Sequence, residues 1–273
     1  MLEKGILLSG VGNARQLGGY RIKDKRIRDG VLIRSAALNQ ATPEAVETLR
    51  NKYRIQSVID FRMSSERQFQ PDPAIPGSDN IHLPVLEMED AMKGANPKMV
   101  ERYTASNTDR MALFNAAYES GMLRETLYTD FLLKDRGRMA FRGFFKALLD
   151  LQEDRAILWH CTDGKDRTGC AAMLVLFALG ADHETVMHDY MLTNVYNTDI
   201  LEAIRRRVAP LGMSEEKLNA LLFMCGGVAE PYMNNAIDAL NRECGSVQGY
   251  LRELGVGEKE IGEIRSKLLI SCQ

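Results

Sequence analysis

The chain has 273 residues, 45% of them apolar and 26% charged, with 35 Lys and Arg against 37 Asp and Glu for a net charge of −2. That balance excludes a disordered or fibrous chain, and it leaves no global field to draw in nucleic acid or an anionic membrane, so any anion must be bound locally. At roughly 150 residues per domain the length allows one domain or two, and the expectation is a single domain over residues 1–273.

The opening segment, MLEKGILLSGVGNARQ, holds an apolar stretch too short for a signal peptide, and no run reaches the length of a membrane span. Runs rich in β-branched residues at 30–34 (GVLIR), 55–60 (IQSVID), 80–83 (NIHL) and 156–161 (AILWHC) predict strands. Between the first two, Thr42 supplies an N-cap hydroxyl, Pro43 a first helical residue and Glu44 an acid in the first turn. Such alternation predicts an α/β fold with a central parallel or mixed sheet flanked by helices. From about 87 to 136 a Met-rich, polar stretch with helical periodicity reads as a helical insertion, either covering a site or packed as a fixed subdomain. Residues 181–273 read as helical throughout, with Ser214 as an N-cap and Gly212, Gly245 and Gly255 as stop signals. Arg205, Arg206 and Arg207 sit where basic residues favour a helix C-terminus.

Five widely spaced cysteines, Cys161, Cys170, Cys225, Cys244 and Cys272, form no CxxC pair and fit a reducing, cytoplasmic setting. His183 and His188 fall on neighbouring helical turns, but with no HExxH or paired cysteines no protein-built metal site is predicted.

The segment that carries chemistry is HCTDGKDRTG, His160 to Gly169, between a strand and the apolar helix CAAMLVLFALG. A strand, a tight loop and a helix N-terminus let the N–H groups from Thr162 to Arg167 converge on one oxyanion, with Gly164 supplying the curl. Cys161 at the base and Arg167 six positions later can face the same phosphate, one as a nucleophile and one as a bidentate clamp. The field that binds phosphate also stabilises a thiolate, so the thiol is expected to ionise below its free value of about 8.5. A nucleotide P-loop is excluded, because Trp159 stands where its first glycine belongs and Asp166 follows Lys165. A sulfurtransferase would not require Arg167 and Thr168 in this register.

C-x5-R, preceded by His and followed by Thr-Gly, resembles the signature loop of the protein tyrosine phosphatase superfamily. Together with Asn13-Ala14-Arg15-Gln16-Leu17-Gly18-Gly19, the GVLIRSAAL segment, Asp60-Phe61-Arg62 with Glu66, and Asp189-Tyr190-Met191-Leu192-Thr193-Asn194, the chain is similar to bacterial and fungal tyrosine phosphatases with a GKDR loop. Some of these hydrolyse phosphoinositides. The resemblance covers nearly the whole chain and implies a phosphatase-like fold, a phosphocysteine at Cys161, a phosphorylated protein or phosphoinositide as substrate, inorganic phosphate as product, and no cofactor. Within the first of these motifs Arg15 is expected to contribute most, as a substrate-binding residue, the alternative being that Asn13, Arg15 and the pair Gly18-Gly19 only fix the N-terminal turn, and Gln16 replaces the family's usual Asp.

The leaving oxygen needs a proton donor, and two aspartates compete. Asp166 lies in the loop and is the acid that the resemblance favours; Asp60 ends a strand that opens on the same sheet edge, and serves as the alternative acid or as a positioning group. Thr168 is expected to hydrogen-bond the sulfur and His160 to fix the loop from behind. Thr162, Asp163, Gly164 and Lys165 complete the expected binding set. Lys165 and Arg167 against Asp163 and Asp166 give the loop a side-chain charge of zero, which suits a single phosphoryl group and makes phosphotyrosine the first choice, with a phosphoinositide or a non-catalytic phosphate-binding module as alternatives.

Overall fold

The computed structural model describes residues 4–92, 110–119 and 123–272. Its main sheet is built from β1 (Arg15–Gln16), β4 (Leu32–Ser35), β5 (Ile55–Asp60), β6 (Asp79–His82) and β7 (Ala156–His160), in the order β1-β4-β7-β5-β6. The four longer strands are parallel and β1 is antiparallel to β4. All four strands expected from the β-branched runs are present. Because consecutive side chains in a strand point to opposite faces, the sheet divides two apolar sets. Leu32, Ile59, Ile157 and Trp159 join one core, and Ile33, Val58 and Leu158 join the other. Burial on both faces is what a parallel sheet covered by helices demands.

Helices cover both sides. On one, α1 (Pro43–Glu47) starts at Thr42, whose side chain accepts the Ala45 N–H, and continues as a wider turn over Thr48–Lys52. After β5 comes α2 (Ser64–Phe69), and the expected insertion supplies α3 (Met88–Met92), α4 (Arg110–Glu119) and α5 (Leu127–Leu133). Residues 93–109 of that insertion lie outside the described residues. Its expected end at 136 is not a boundary, because α6 (Asp135–Leu149) runs across it and packs Phe141, Phe144 and Phe145 against the sheet. Phe144 lies 5.3 Å from the Trp159 ring.

After β7, α7 (Arg167–Leu179) is almost wholly buried, as its apolar sequence requires. The later helices are α8 (His183–Tyr196), α9 (Thr198–Val208), α10 (Glu215–Met224), α11 (Glu230–Cys244), α12 (Val247–Glu253) and α13 (Glu258–Leu268). Ser214 caps α10 through the Lys217 N–H, and Gly212, Gly245 and Gly255 take the left-handed conformation expected of stop signals. One part of this region is not helical: β8 (Leu269–Ser271) pairs with β3 (Lys25–Ile27), itself paired with β2 (Arg21–Ile22), in a small antiparallel sheet. The apolar pair Leu269-Ile270 after α13 reads locally as more helix, whereas the open edge of β3 supplies hydrogen bonds that no local pattern reveals. Among the described residues, no helix is long and apolar enough to cross a membrane.

Candidate active site

Ser35, His160 and Asp60 stand level across three adjacent parallel strands, so the segments that follow them leave the sheet at one edge. That is the edge at which open α/β sheets bind ligands. Cys161 follows the central strand β7 and is buried; Arg167 opens α7.

The loop between them is tied down by its carbonyls. Thr162 C=O accepts the Ala37 N–H (3.1 Å), Asp163 C=O accepts from Asn13 Nδ2 (3.1 Å), and Gly164 C=O accepts from both Asn13 Nδ2 (3.0 Å) and Arg34 Nη2 (2.9 Å). The N–H groups from Thr162 to Thr168 donate to no acceptor among the described residues. With the carbonyls held behind, a curl of free donors at a helix N-terminus forms an anion cradle. Gly164 has φ +67°, and a Cβ there would lie 2.4 Å from the Ser35 carbonyl group. Only glycine fits.

Arg167 lies at the rim. Its Nη1 and Nη2 donate to Glu66 Oε2 and Oε1 at 2.6 and 3.0 Å, and Nη2 reaches Thr162 Oγ1 at 3.3 Å. Thr162 Oγ1 in turn donates to Glu66 Oε1. Burial lowers the proton affinity of this guanidinium, but Cys161 and Glu66 raise it well above the ordinary value. For Glu66 burial also opposes ionisation, yet the bonds from Arg167 bring its carboxyl down to about 2. The same carboxylate accepts the Met63 N–H at the start of α2, so the helix entry and the arginine are fixed by one group.

Asp166 accepts two hydrogen bonds and makes an ion pair. Tyr128 O–H donates to Oδ1 at 2.5 Å, and Lys165 Nζ approaches Oδ1 at 2.9 Å and Oδ2 at 2.8 Å. Lys165 is itself buried, with Nζ 4.2 Å from the Phe223 ring centre. Asp163 is exposed at the lip of the loop. Thr168 Oγ1 is buried and has no partner among the described residues, the Cys161 sulfur included.

Asp60 is wholly buried. Arg62 donates to it from Nε (2.9 Å), Nη2 (2.8 Å) and its own backbone N–H (3.0 Å). Burial opposes its ionisation, but Arg62 and His160 hold the carboxyl below the usual aspartate range. Arg62 Nη2 also reaches Asp72 (2.6 Å), whose Oδ2 lies 3.3 Å from His160 Nε2. Asp60, Asp72 and His160 have the spacing of a metal-ligand set, but the Arg62 guanidinium already occupies the space between the two carboxylates. His160, expected behind the loop, is buried there in this cluster. His183 and His188 are apart, one bonded to Asn234 and the other to Tyr20.

Arg15, expected among the ligands, is instead fully buried under the loop. It bonds Asp189 Oδ1 (3.1 Å), Asp189 C=O (2.9 Å), Thr193 Oγ1 (3.2 Å) and Asn13 Oδ1. Arg15 and Arg34 are direct cross-strand partners, and Asp189 lies between the two like charges. Burial and the nearby Arg34 lower the Arg15 pKa to about 10. Arg34, Asp189, Glu66, Asp72 and Tyr128 carry no role in the reading of the sequence, although each supports the loop or its arginine. Register alone would have signalled the brace of Arg15, Arg34 and Asp189, since two arginines facing each other in a buried sheet require an anion.

The chain as a whole is similar to known proteins. A candidate tyrosine-protein phosphatase of Cupriavidus necator is 32% identical over 265 residues, 95% of this chain and 86% of its own. The triple specificity protein phosphatase PtpB of Mycobacterium tuberculosis is 29% identical over 256 residues, 89% of this chain and 92% of its own. A tyrosine-protein phosphatase of Nostoc commune matches at 30% over 118 residues, 43% of this chain and 40% of its own. The model of the tyrosine phosphatase family matches residues 6–270, nearly the whole chain, and the chain belongs to that family.

Proposed function

We propose that the protein is a protein-tyrosine phosphatase acting through a phosphocysteine at Cys161, with residues 1–273 working as one phosphatase domain. The observation that carries this reading is the loop: its carbonyls are bound to the scaffold, its amides are free, and Arg167 is aligned by Glu66. In the first step the Cys161 sulfur attacks phosphorus, the S–P bond forms as the P–O bond breaks, and Asp166 gives its proton to the departing tyrosyl oxygen. In the second step Asp166 takes a proton from water, whose oxygen attacks phosphorus; the S–P bond breaks, releasing inorganic phosphate and the thiolate. Arg167 and the amides hold the equatorial oxygens in both steps.

Asp166 is the acid in this reading because both oxygens of the buried Asp60 are already bound by Arg62; Asp60 positions the segment after the strand that carries Arg62. Thr168 supplies the sulfur with a donor once a thiolate forms, in keeping with its unpartnered hydroxyl. Arg15 is a brace in place of a ligand. The Lys165 ammonium is bound to Asp166, which supports a single phosphoryl group and hence phosphotyrosine over a multiply charged headgroup. Five free thiols are in keeping with a cytoplasmic setting.

The test is turnover on phosphotyrosine peptides, phosphoserine peptides and phosphoinositides, with Cys161→Ser as the control. The expected result is preference for phosphotyrosine, with no turnover in Cys161→Ser but retained vanadate binding, because the cradle is backbone. Full activity in that variant, or activity lost to a chelator alone, overturns the mechanism; preference for phosphoinositides overturns the substrate.

A further inference from the structure

Resting on Asp166 as the acid, we propose that Tyr128 is a positioning residue that decides which Asp166 oxygen carries the transferred proton. Tyr128 belongs to α5 in the helical insertion, yet its hydroxyl is bonded to Asp166 Oδ1 at 2.5 Å. Oδ1 also faces Lys165 Nζ at 2.9 Å, whereas Oδ2 has Lys165 alone, at 2.8 Å. An oxygen that accepts two hydrogen bonds is the worse place for a third proton. The acid form therefore carries its proton on Oδ2, and the bond from Tyr128 to Oδ1 holds the carboxyl against rotation.

The tyrosine is built for this role. It is wholly buried, with its ring stacked on Phe131 at 5.8 Å and 21° and edge-on to Tyr190 at 6.0 Å and 86°. Burial and the charge of Asp166 push its hydroxyl far above the ordinary tyrosine range, so it remains a donor at every working pH. Its oxygen accepts from Tyr190 O–H at 3.1 Å, a hydroxyl that also reaches Ala229 C=O at 3.3 Å. The chain Tyr190, Tyr128, Asp166 thus has one direction, and each bond polarises the next. Besides Lys165 and Tyr128, the groups that act on Asp166 at longer range are Tyr190, Tyr232, Cys170, Asp163 and Arg167. Tyr128 is the only neutral donor among these in contact with its oxygens.

The test compares Tyr128→Phe with the wild-type enzyme on phosphotyrosine and on an activated nitrophenyl-type ester. The ring and its packing remain and one hydroxyl is lost. kcat on phosphotyrosine is expected to fall about tenfold, a part of the ~100-fold or more that a general acid supplies, with a much smaller fall on the activated ester. In the Asp166→Asn background, Tyr128→Phe should change nothing further. Tyr190→Phe, one bond further out, is the second variant and should show the same pattern more weakly. Equal losses on both esters, or an undiminished effect in the Asp166→Asn background, overturns the positioning role. If Asp166→Asn alone shows no dependence on the leaving group, the assignment of the acid falls first and this role with it. Vanadate affinity, which reads the cradle and not the acid, should be the same in wild type and both tyrosine variants.

Discussion

Glu66→Gln removes one charge while keeping the shape of the side chain and an oxygen for Thr162. The carboxyl is held at about 2 against an ordinary 4.5, which at about 1.4 kcal/mol per pH unit corresponds to about 3 kcal/mol favouring its ionised form. The Gln amide recovers part of this, so the expected loss of folding stability at pH 7 is about 2 kcal/mol. Since the folded value lies below the unfolded one, the stabilisation is complete above about pH 4.5 and is lost as pH falls towards 2. Urea unfolding of both proteins from pH 7 to pH 3 should therefore show a gap that narrows below about pH 4.5. Freed from its bidentate partner, Arg167 should also cost activity, with kcat/KM down by about tenfold or more. A stability gap of constant size across that pH range, or unchanged kcat/KM, would refute the argument that the carboxylate both holds the helix entry and aims the guanidinium.

Three further outcomes are expected. Arg167→Lys should lower kcat/KM by more than about tenfold, because a point charge cannot make two parallel bonds to phosphate oxygens; steady-state kinetics reads this directly. Asp166→Asn should lower kcat on phosphotyrosine by roughly a hundredfold or more but cost little on a nitrophenyl-type ester, whereas Asp60→Asn should lower both alike and destabilise by about 3 kcal/mol by unbalancing a buried pair; exchanged patterns would exchange the roles. Gly164→Ala should abolish vanadate binding in calorimetry and lower stability by about 2 kcal/mol or more, since its Cβ would meet the Ser35 carbonyl group at 2.4 Å.

The loop was legible because its chemistry is contiguous: thiol, glycine, arginine and helix start lie within ten residues of sequence, and spacing alone puts them on one anion. The long strands were legible from their β-branched content. The supports of the loop were not, because each is a common residue whose meaning comes from a distant partner. Asp189 lies in a segment that the resemblance marks without giving it a role, 174 positions after the Arg15 that it meets. Tyr128 is one apolar residue of a short helix, and Asp72, between two prolines, looks like a turn. Arg15 was misread for the complementary reason: in an anion-binding protein a motif arginine suggests a ligand, while its position opposite Arg34 makes it a buried counterion. β8 escaped because three residues after a helix carry no periodicity.

The Arg15, Arg34 and Asp189 brace also sets an order of events for a chain emerging from a ribosome. The cradle residues are all translated by Thr168, yet two buried guanidinium groups have no counterion until Asp189 has emerged and α8 has docked. A nascent chain stalled before that point holds its cysteine in a loop whose Gly164 carbonyl hangs on an unbalanced arginine. The loop is therefore expected to reach its final, braced form late, once α8 has docked and Asp189 has joined the two guanidinium groups.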